Sequence, residues 1–443
     1  MRGKCRRPAP PDGDGDATAV LEDADLEEIL LRVPSAAVLA RTAPLVCRRW
    51  RRVASGPAFL RRFRRLHPPQ LLGFVVCKGG RPYRYDVLDR SPLPVLDPNF
   101  LPVLSPNPGV GGAVDRCRDF SLSSLPSVDH WSLADSRDGL LLFCSSSDDR
   151  STDFCDLPEH RDIPKHFAVC DPLSGHSVLL PSPDAGLYLG SYYLGAALVI
   201  SEKDEGDILS FEVLIATYVD DYGEGGPCLC AFSSSSRQWV VLPCPDTNKL
   251  HIYGMPWMDD GARAGGCVYW VVDDWQMGYE HILVLDSQTK KFTMKLPCSG
   301  MCERYDRNIK VMRSEGERDL RVVAMAFSSC ALHFWRRDRS RSAKGRWLKE
   351  GVVEFFSVDG WIDLIMEGAN FSGFSNSYAP RIVDAGEGFV FIKDYKTPWV
   401  FVLNLKDMTM QKLPNRKEYS GHALPYRMAL SPPLPNFDQE GNH

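Results

Sequence analysis

Four times along the chain, a run of β-branched and aromatic residues ends in Leu-Pro: at Leu180-Pro181, Leu242-Pro243, Leu296-Pro297 and Leu413-Pro414. Each mark follows a similar phrase. Val169-Cys170-Asp171-Pro172-Leu173-Ser174-Gly175 and Val284-Leu285-Asp286-Ser287-Gln288-Thr289-Lys290 both place an apolar run, then Asp and a turn, then a second run. Phe232–Trp239 and Val402–Met408 are looser copies. The first three marks lie roughly 55 to 60 residues apart, and the last gap is about twice that. A repeat of this period, made of short strands cut by Gly, Pro, Asp and Ser, is the grammar of a β-propeller with about four strands per blade. Segment 320–355 has the texture of a repeat that lost its mark. Gly-containing turns open strands at Arg137-Asp138-Gly139, Gly265-Gly266 and Gly386-Glu387-Gly388. Five or six blades fit, with the strands of Leu71–Tyr85 joining the first blade or closing the ring. A pair of irregular β-sandwiches is the competing architecture.

The chain divides by texture. Residues 1–20 carry almost no large apolar side chains and read as a disordered tail. Residues 21–67 have helical periodicity. Residues 68–119 read as a linker with one or two strands, and hold Pro92, Pro94, Pro98, Pro102, Pro106 and Pro108. Residues 120–432 form the β-rich domain, and 433–443 a second disordered tail.

In the helical segment Asp23 or Asp25 suits a helix start, with Glu27 and Glu28 near the positive end of the dipole. Leu26, Ile29, Leu30 and Val33 fall at i, i+3, i+4 and i+7, one apolar stripe ended by Pro34. Val38, Leu39, Thr42, Leu45 and Val46 give a second pattern, interrupted by Pro44. Cys47–Val53 carries Trp50 among arginines, and Phe59, Leu60 and Phe63 mark a last apolar face. These stripes are wide for so small a module, so a partner surface is the natural place for the excess.

The string Asp25-Leu26-Glu27-Glu28-Ile29-Leu30-Leu31-Arg32-Val33-Pro34, then Val46-Cys47-Arg48-Arg49-Trp50-Arg51, then Phe59, resembles an F-box in order and spacing. The family's opening Leu-Pro is Leu21-Glu22 here, and Pro44 stands where the family usually continues a helix. The β-rich remainder, with Leu71-Leu72-Gly73-Phe74-Val75, is similar to the plant F-box proteins that carry a propeller-like associated region. Its Gly-Gly…Tyr-Trp string is faintly kelch-like. The resemblance implies a non-catalytic receptor: the F-box docks on the Skp1-type adaptor of a cullin-RING ubiquitin ligase, and the β-domain captures a target protein. Carried across by the motif, the adaptor-binding residues are Leu26, Ile29, Leu30, Val33, Pro34, Val46, Cys47 and Trp50. Trp50 is the one best suited to the module's own centre.

For the target, exposed loop aromatics are the candidates: Tyr192, Tyr193, Trp257, Trp275 and Tyr279. No nucleophile elbow, P-loop, dinucleotide Gly pattern or His-Glu-x-x-His occurs. Asp273, Asp274 and His281 are the one group a propeller hydrolase would use, and a scaffold without ligase link is a third reading. Cys228-x-Cys230 and Cys298-x-x-x-Cys302 lack a second pair at zinc-ligand spacing, and Asp12-x-Asp14-x-Asp16 lacks the Gly of a calcium loop. No cofactor or metal is expected.

A formal net charge of −5 argues against whole-molecule attraction to nucleic acid. The arginines around Arg48–Arg65 read as solvated helix faces, and those of Arg336–Arg346 as a hairpin tip. With no apolar run of eighteen residues and no apolar core after the basic start, a cytoplasmic or nuclear location without membrane contact is the expectation.

Overall fold

In the computed structural model, the described residues are 21–34, 46–76, 99–102, 130–146, 164–183, 191–201, 208–219, 226–242, 257–258, 261–274, 279–295, 308–314, 319–326, 331–338, 346–361, 380–393, 399–413, 423–430 and 432–437, with single positions 36, 38, 39, 43, 125 and 363. The expected tail 1–20 and most of the Pro-rich stretch lie outside them.

The β-rich part is a ring of sheets. Blade 1 is β3 (His130–Arg137), β4 (Leu140–Ser146), β5 (Phe167–Asp171) and β6 (His176–Leu179). Blade 2 is β7 (Ser191–Ile200), β8 (Phe211–Val219), β9 (Gly226–Ser233) and β10 (Gln238–Leu242). Blade 3 has β11 (Trp257–Met258) and β12 (Ala262–Ala264) along one edge of β13 (Cys267–Asp274), then β14 (Tyr279–Asp286) and β15 (Lys291–Lys295). Blade 4 is β16 (Ile309–Val311), β17 (Arg321–Ala326), β18 (Ala331–Asp338) and β19 (Arg346–Glu354). Blade 5 is β20 (Arg381–Gly386), β21 (Phe389–Lys393), β22 (Val400–Asn404) and β23 (Thr409–Lys412). Every blade is an antiparallel meander.

A sixth sheet closes the ring. In it β1 (Gln70–Val76) lies between β2 (Asn99–Pro102) and β24 (Ala423–Met428), antiparallel to both. The strand predicted after the helices therefore joins the last strand of the ring. Phe74 of β1 meets Phe389 and Phe391 of blade 5 edge-on, at 5.3 and 4.9 Å. On the other side β24 packs beside β3 of blade 1.

The repeat phrase is legible in the turns. In blades 1, 2, 3 and 5 the hairpin between the third and fourth strands has four residues, and its last lies in the left-handed region: Gly175 (φ 70°), Arg237 (57°), Lys290 (58°) and Met408 (55°). The residue before the turn caps it. Asp171 Oδ1 accepts from the Leu173 N–H at 2.9 Å, Asp286 Oδ1 from Gln288 and Thr289 at 2.9 Å, and Asn404 Oδ1 from Lys406 at 3.0 Å. Short polar side chains favour this geometry because they complete the turn from their own backbone. The Gly-containing openings form the tight first hairpin, with positive φ at both central residues: Asp138-Gly139, Gly265-Gly266 and Glu387-Gly388.

In blades 1 and 5 the Leu of Leu-Pro is the first residue past the outer strand, while Leu242 is the last residue of β10 and Leu296 lies outside the described residues. Leu180 turns inward and is buried, and its N–H donates to Phe167 O at 2.8 Å; Leu413 donates to Val400 O at 2.9 Å in the same way. Blade 4 carries Phe355 at this place, fully buried, which accounts for the missing mark. Burial falls from the inner strands to the outer: β8 is nearly all buried, whereas β10 and β19 are half-exposed.

Among the described residues, helices α1 (Asp23–Leu31), α2 (Arg48–Ala54) and α3 (Pro57–Leu66) precede the ring. Glu22 is the N-cap of α1, its N–H donating to Asp25 Oδ2 at 3.3 Å, while Asp23 is engaged by Arg49 and Arg52. Between α1 and α2 the described residues Ala36, Val38, Leu39, Ala43 and Val46 are helical, while Thr42, Pro44 and Leu45 lie outside the description.

The helices were expected to form a separate module. Instead Leu26, Leu30, Leu31, Phe59, Leu60 and Phe63 belong to one continuous core with Trp131, Leu141 and Phe143 of blade 1 and Tyr426 and Met428 of β24. Arg64 pairs with the buried Asp138 of the first blade-1 hairpin. A module this small buries too little surface alone, and the ring supplies the rest.

The expected tail from 433 on is also corrected. Residues 432–437 lie against blade 2, with Leu434 buried among blade-1 and blade-2 side chains.

The thiol of Cys170 sits in the shared core. Burial, and secondarily the charge of Asp171, push its pKa from the ordinary 9.0 up to about 12. Alkylation at pH 8 is expected to modify Cys170 only after unfolding, measured by mass spectrometry. A folded-state pKa above the unfolded one means the thiol's contribution to stability is complete below about pH 9. It is lost as pH rises from there toward 12.

Candidate functional site

Two places concentrate functional chemistry. The first is the helical face. Of the residues the F-box resemblance marked, Leu26 and Leu30 are fully buried in the shared core. Val33 and Trp50 are half-buried and pack on it. Cys47 is half-buried, and Pro34 is exposed. Ile29 and Val46 are large apolar side chains left 44% and 51% exposed. The motif thus divides into residues that face the ring and residues that face outward.

Ion pairs fix the helices relative to one another. Arg49 Nε lies 2.7 Å from Asp23 Oδ1, and Arg49 also donates to Leu21 O. Arg62 bridges Glu27 and Glu28, both at 2.6 Å. The hydrogen bond from Arg49 holds the Asp23 carboxyl below its ordinary 3.8, and Glu28 and then Glu27 raise the Arg62 guanidinium. These pairs are solvent-exposed, so their weight is orientation more than stability. Of the arginines read as solvated, Arg49, Arg52, Arg62 and Arg64 are therefore engaged by carboxylates. In the second basic cluster Arg336 and Arg337 lie within β18 and not in a hairpin tip, and Arg336 pairs with Glu350 and Asp319 at 2.8 and 2.9 Å. Arg339, Arg341 and Lys344 lie outside the described residues.

The second place is the inner edge of the ring, where buried charges meet across blades. Asp135 sits at a register shift in β3. Its Oδ1 accepts from the Ser136 N–H at 2.9 Å, and its Oδ2 from the Leu198 N–H of β7 at 2.8 Å. Arg263 of β12 donates to the same Oδ2 and to Leu198 O, both at 2.7 Å. Asp384, at a register shift in β20, repeats the arrangement. It accepts from Ala385 N–H at 2.8 Å, from Ala423 N–H of β24 at 3.3 Å and from Arg313 Nε at 3.0 Å. Both aspartates stand four residues before the second turn glycine, Gly139 and Gly388. That Asp-x-x-x-Gly spacing was a signal in the sequence that pattern reading missed. A buried carboxylate satisfied by two amides and an arginine is a structural staple between blades.

The target-binding aromatics fare unevenly. Tyr193 was expected on an exposed loop, but lies in β7, 5% exposed, packed between blades 1 and 2. Alternation along the strand turns it into the core. Tyr192, Trp257 and Tyr279 lie in β7, β11 and β14. Trp275 lies outside the described residues. Asp273 and Asp274 end β13 and His281 lies in β14, so these are strand residues more than turn residues. Among the described residues no three His, Cys, Asp or Glu side chains group as a metal site, and no helix is long and apolar enough to cross a membrane.

Strand order defines the class: consecutive four-stranded meanders arranged in a ring, closed by pairing an early strand with the last, make a β-propeller. No family model and no curated protein matches the chain. Solved structures that resemble it include apo AztD from Citrobacter koseri, at 15% identity over 67% of this chain and 62% of that one, TM-score 0.26. The Dos1 propeller matches at 13% identity over 66% and 60%, TM-score 0.29. An exo-β-1,3-galactanase from Clostridium thermocellum matches at 8% identity over 72% and 68%, TM-score 0.34. The chain thus covers less than two thirds of the length of the first two. The propeller assignment rests on the strand order and not on these likenesses.

Proposed function

We propose that the chain is the substrate-recognition subunit of a Skp1–cullin–F-box type ubiquitin ligase, acting in the cytoplasm or nucleus without catalysis of its own. The helices would bind the Skp1-type adaptor and the propeller a target protein. The observation that carries this reading is the outward half of the F-box-like string. Ile29 and Val46 leave apolar surface in water, as Leu66 does at the end of α3, whereas Leu26, Leu30, Leu31, Phe59, Leu60 and Phe63 are buried. Such residues are the anchors a partner groove takes up. Holding a target beside a ubiquitin-charged enzyme then acts through effective concentration.

Against a propeller hydrolase stand the two buried inner-strand carboxylates, each already bound by an arginine and backbone amides. A general base needs a free lone pair facing substrate.

The test is co-purification of the full chain with a Skp1-type adaptor. Ile29→Asp combined with Val46→Asp is expected to reduce binding at least tenfold while leaving the melting temperature within a few degrees, because exposed positions tolerate charge. Absence of binding by the wild-type chain, where an established F-box protein binds, removes the ligase reading.

A further inference from the structure

After β24 the chain does not leave the ring. It passes the first hairpin of blade 1, where a Cβ at Gly139 would sit 3.1 Å from the backbone of Ala429. It then lies along blade 2 as Pro432-Pro433-Leu434-Pro435-Asn436-Phe437. Pro432, Leu434 and Pro435 are buried, and Leu434 enters the core between blades 1 and 2. Phe437 packs edge-on against Phe232 at 6.1 Å, with the Arg237 guanidinium 5.2 Å from its ring centre. Trp239 lies beside Phe232 at 5.2 Å, its Nε1 donating to Pro181 O at 2.7 Å. The Leu209 N–H donates to Pro433 O at 3.0 Å.

This segment is not a strand. Its three prolines have no N–H to offer a neighbouring sheet edge, so it cannot join the blade by a hydrogen-bond ladder. It is seated by apolar side chains three residues apart and by a backbone carbonyl, against an aromatic wall. That is how an extended, proline-rich ligand is bound by a groove.

We infer that the groove on blades 1 and 2, walled by Leu209, Phe232, Arg237 and Trp239, is a peptide-binding site, and that Pro432–Phe437 is its built-in occupant. The partner it fits is an extended proline-rich segment of another protein with large apolar residues three apart, as Leu434 and Phe437 are. The tethered copy is present at high effective concentration, so it masks the groove and lowers the apparent affinity for any such segment by the fraction of time it is seated. The inference does not rest on the adaptor reading: the groove and its occupant are the same whether or not the helices bind a partner.

The probe is a fluorescein-labelled peptide with the sequence of residues 431–437, titrated by anisotropy against the full chain and against its L434S/F437S variant. The expected result is at least tenfold tighter binding to the variant than to the wild type, and none of a peptide with both anchors changed to serine. If the variant melts cooperatively and binds the peptide no better than the wild type does, the inference is overturned. If the variant loses its cooperative melt, saturating peptide is expected to restore it. Failure to restore it makes the segment a fixed part of the core and overturns the inference equally.

Discussion

Replacing Arg263 by alanine is expected to lower the free energy of unfolding by about 3–5 kcal/mol, the usual consequence of stripping one partner from a buried ion pair. Arg263 and Asp135 are both nearly fully buried, and the guanidinium is the charge that balances Asp135. Without it the carboxylate keeps only the amides of Ser136 and Leu198 among its described partners. The loss should appear in urea titration as a lower midpoint at unchanged slope. Replacing the pair together, Asp135→Asn with Arg263→Met, is expected to recover a large part of the loss, because no lone charge is then left inside. A single-variant loss below about 1 kcal/mol would mean that water reaches the inner edge and screens the pair.

Leu30→Asp is expected to unfold the helices and the ring together, with a loss of about 4 kcal/mol or more from the vanished leucine and the buried charge. Leu30 is fully buried in the core that runs from α1 through Phe63 to Trp131 and Tyr426. A single, strongly lowered melting transition is the expected observation. Two transitions, with the propeller's own unchanged, would show that the helices fold apart from the ring. For the same reason Leu30→Asp is a poor probe of adaptor binding, and the exposed Ile29 and Val46 are better ones.

The blade repeat was readable because its marks have local causes. Asp171, Asp286 and Asn404 cap their own turns, and Leu180 and Leu413 turn inward where an outer strand ends. A local hydrogen bond writes itself into a few consecutive letters. The staples are different: Asp135 and Arg263 stand 128 residues apart, and Arg313 and Asp384 stand 71 apart. Only closing the ring brings them together, so their chemistry looked like ordinary strand polarity. The helical string showed which residues are apolar but not which face outward. That division depends on Trp131, Leu141, Tyr426 and Met428, contributed by distant segments. Tyr193 failed for a related reason: its pattern fits a strand, and which side of the strand is core is decided by the neighbouring blade.

The pairing of β1 with β24 has a consequence in time. Residues 70–76 leave the ribosome early, and their inner partner, residues 423–428, leaves about 350 residues later. At roughly 5–20 residues per second the strand waits about 20–70 s for its mate. Throughout that interval Leu71-Leu72-Gly73-Phe74-Val75-Val76 is an apolar edge open to pairing with another chain. Nascent chains of this protein should therefore lean on chaperones until β24 has been made, and changes that slow the synthesis of blades 1 to 5 should cost yield without altering the finished molecule.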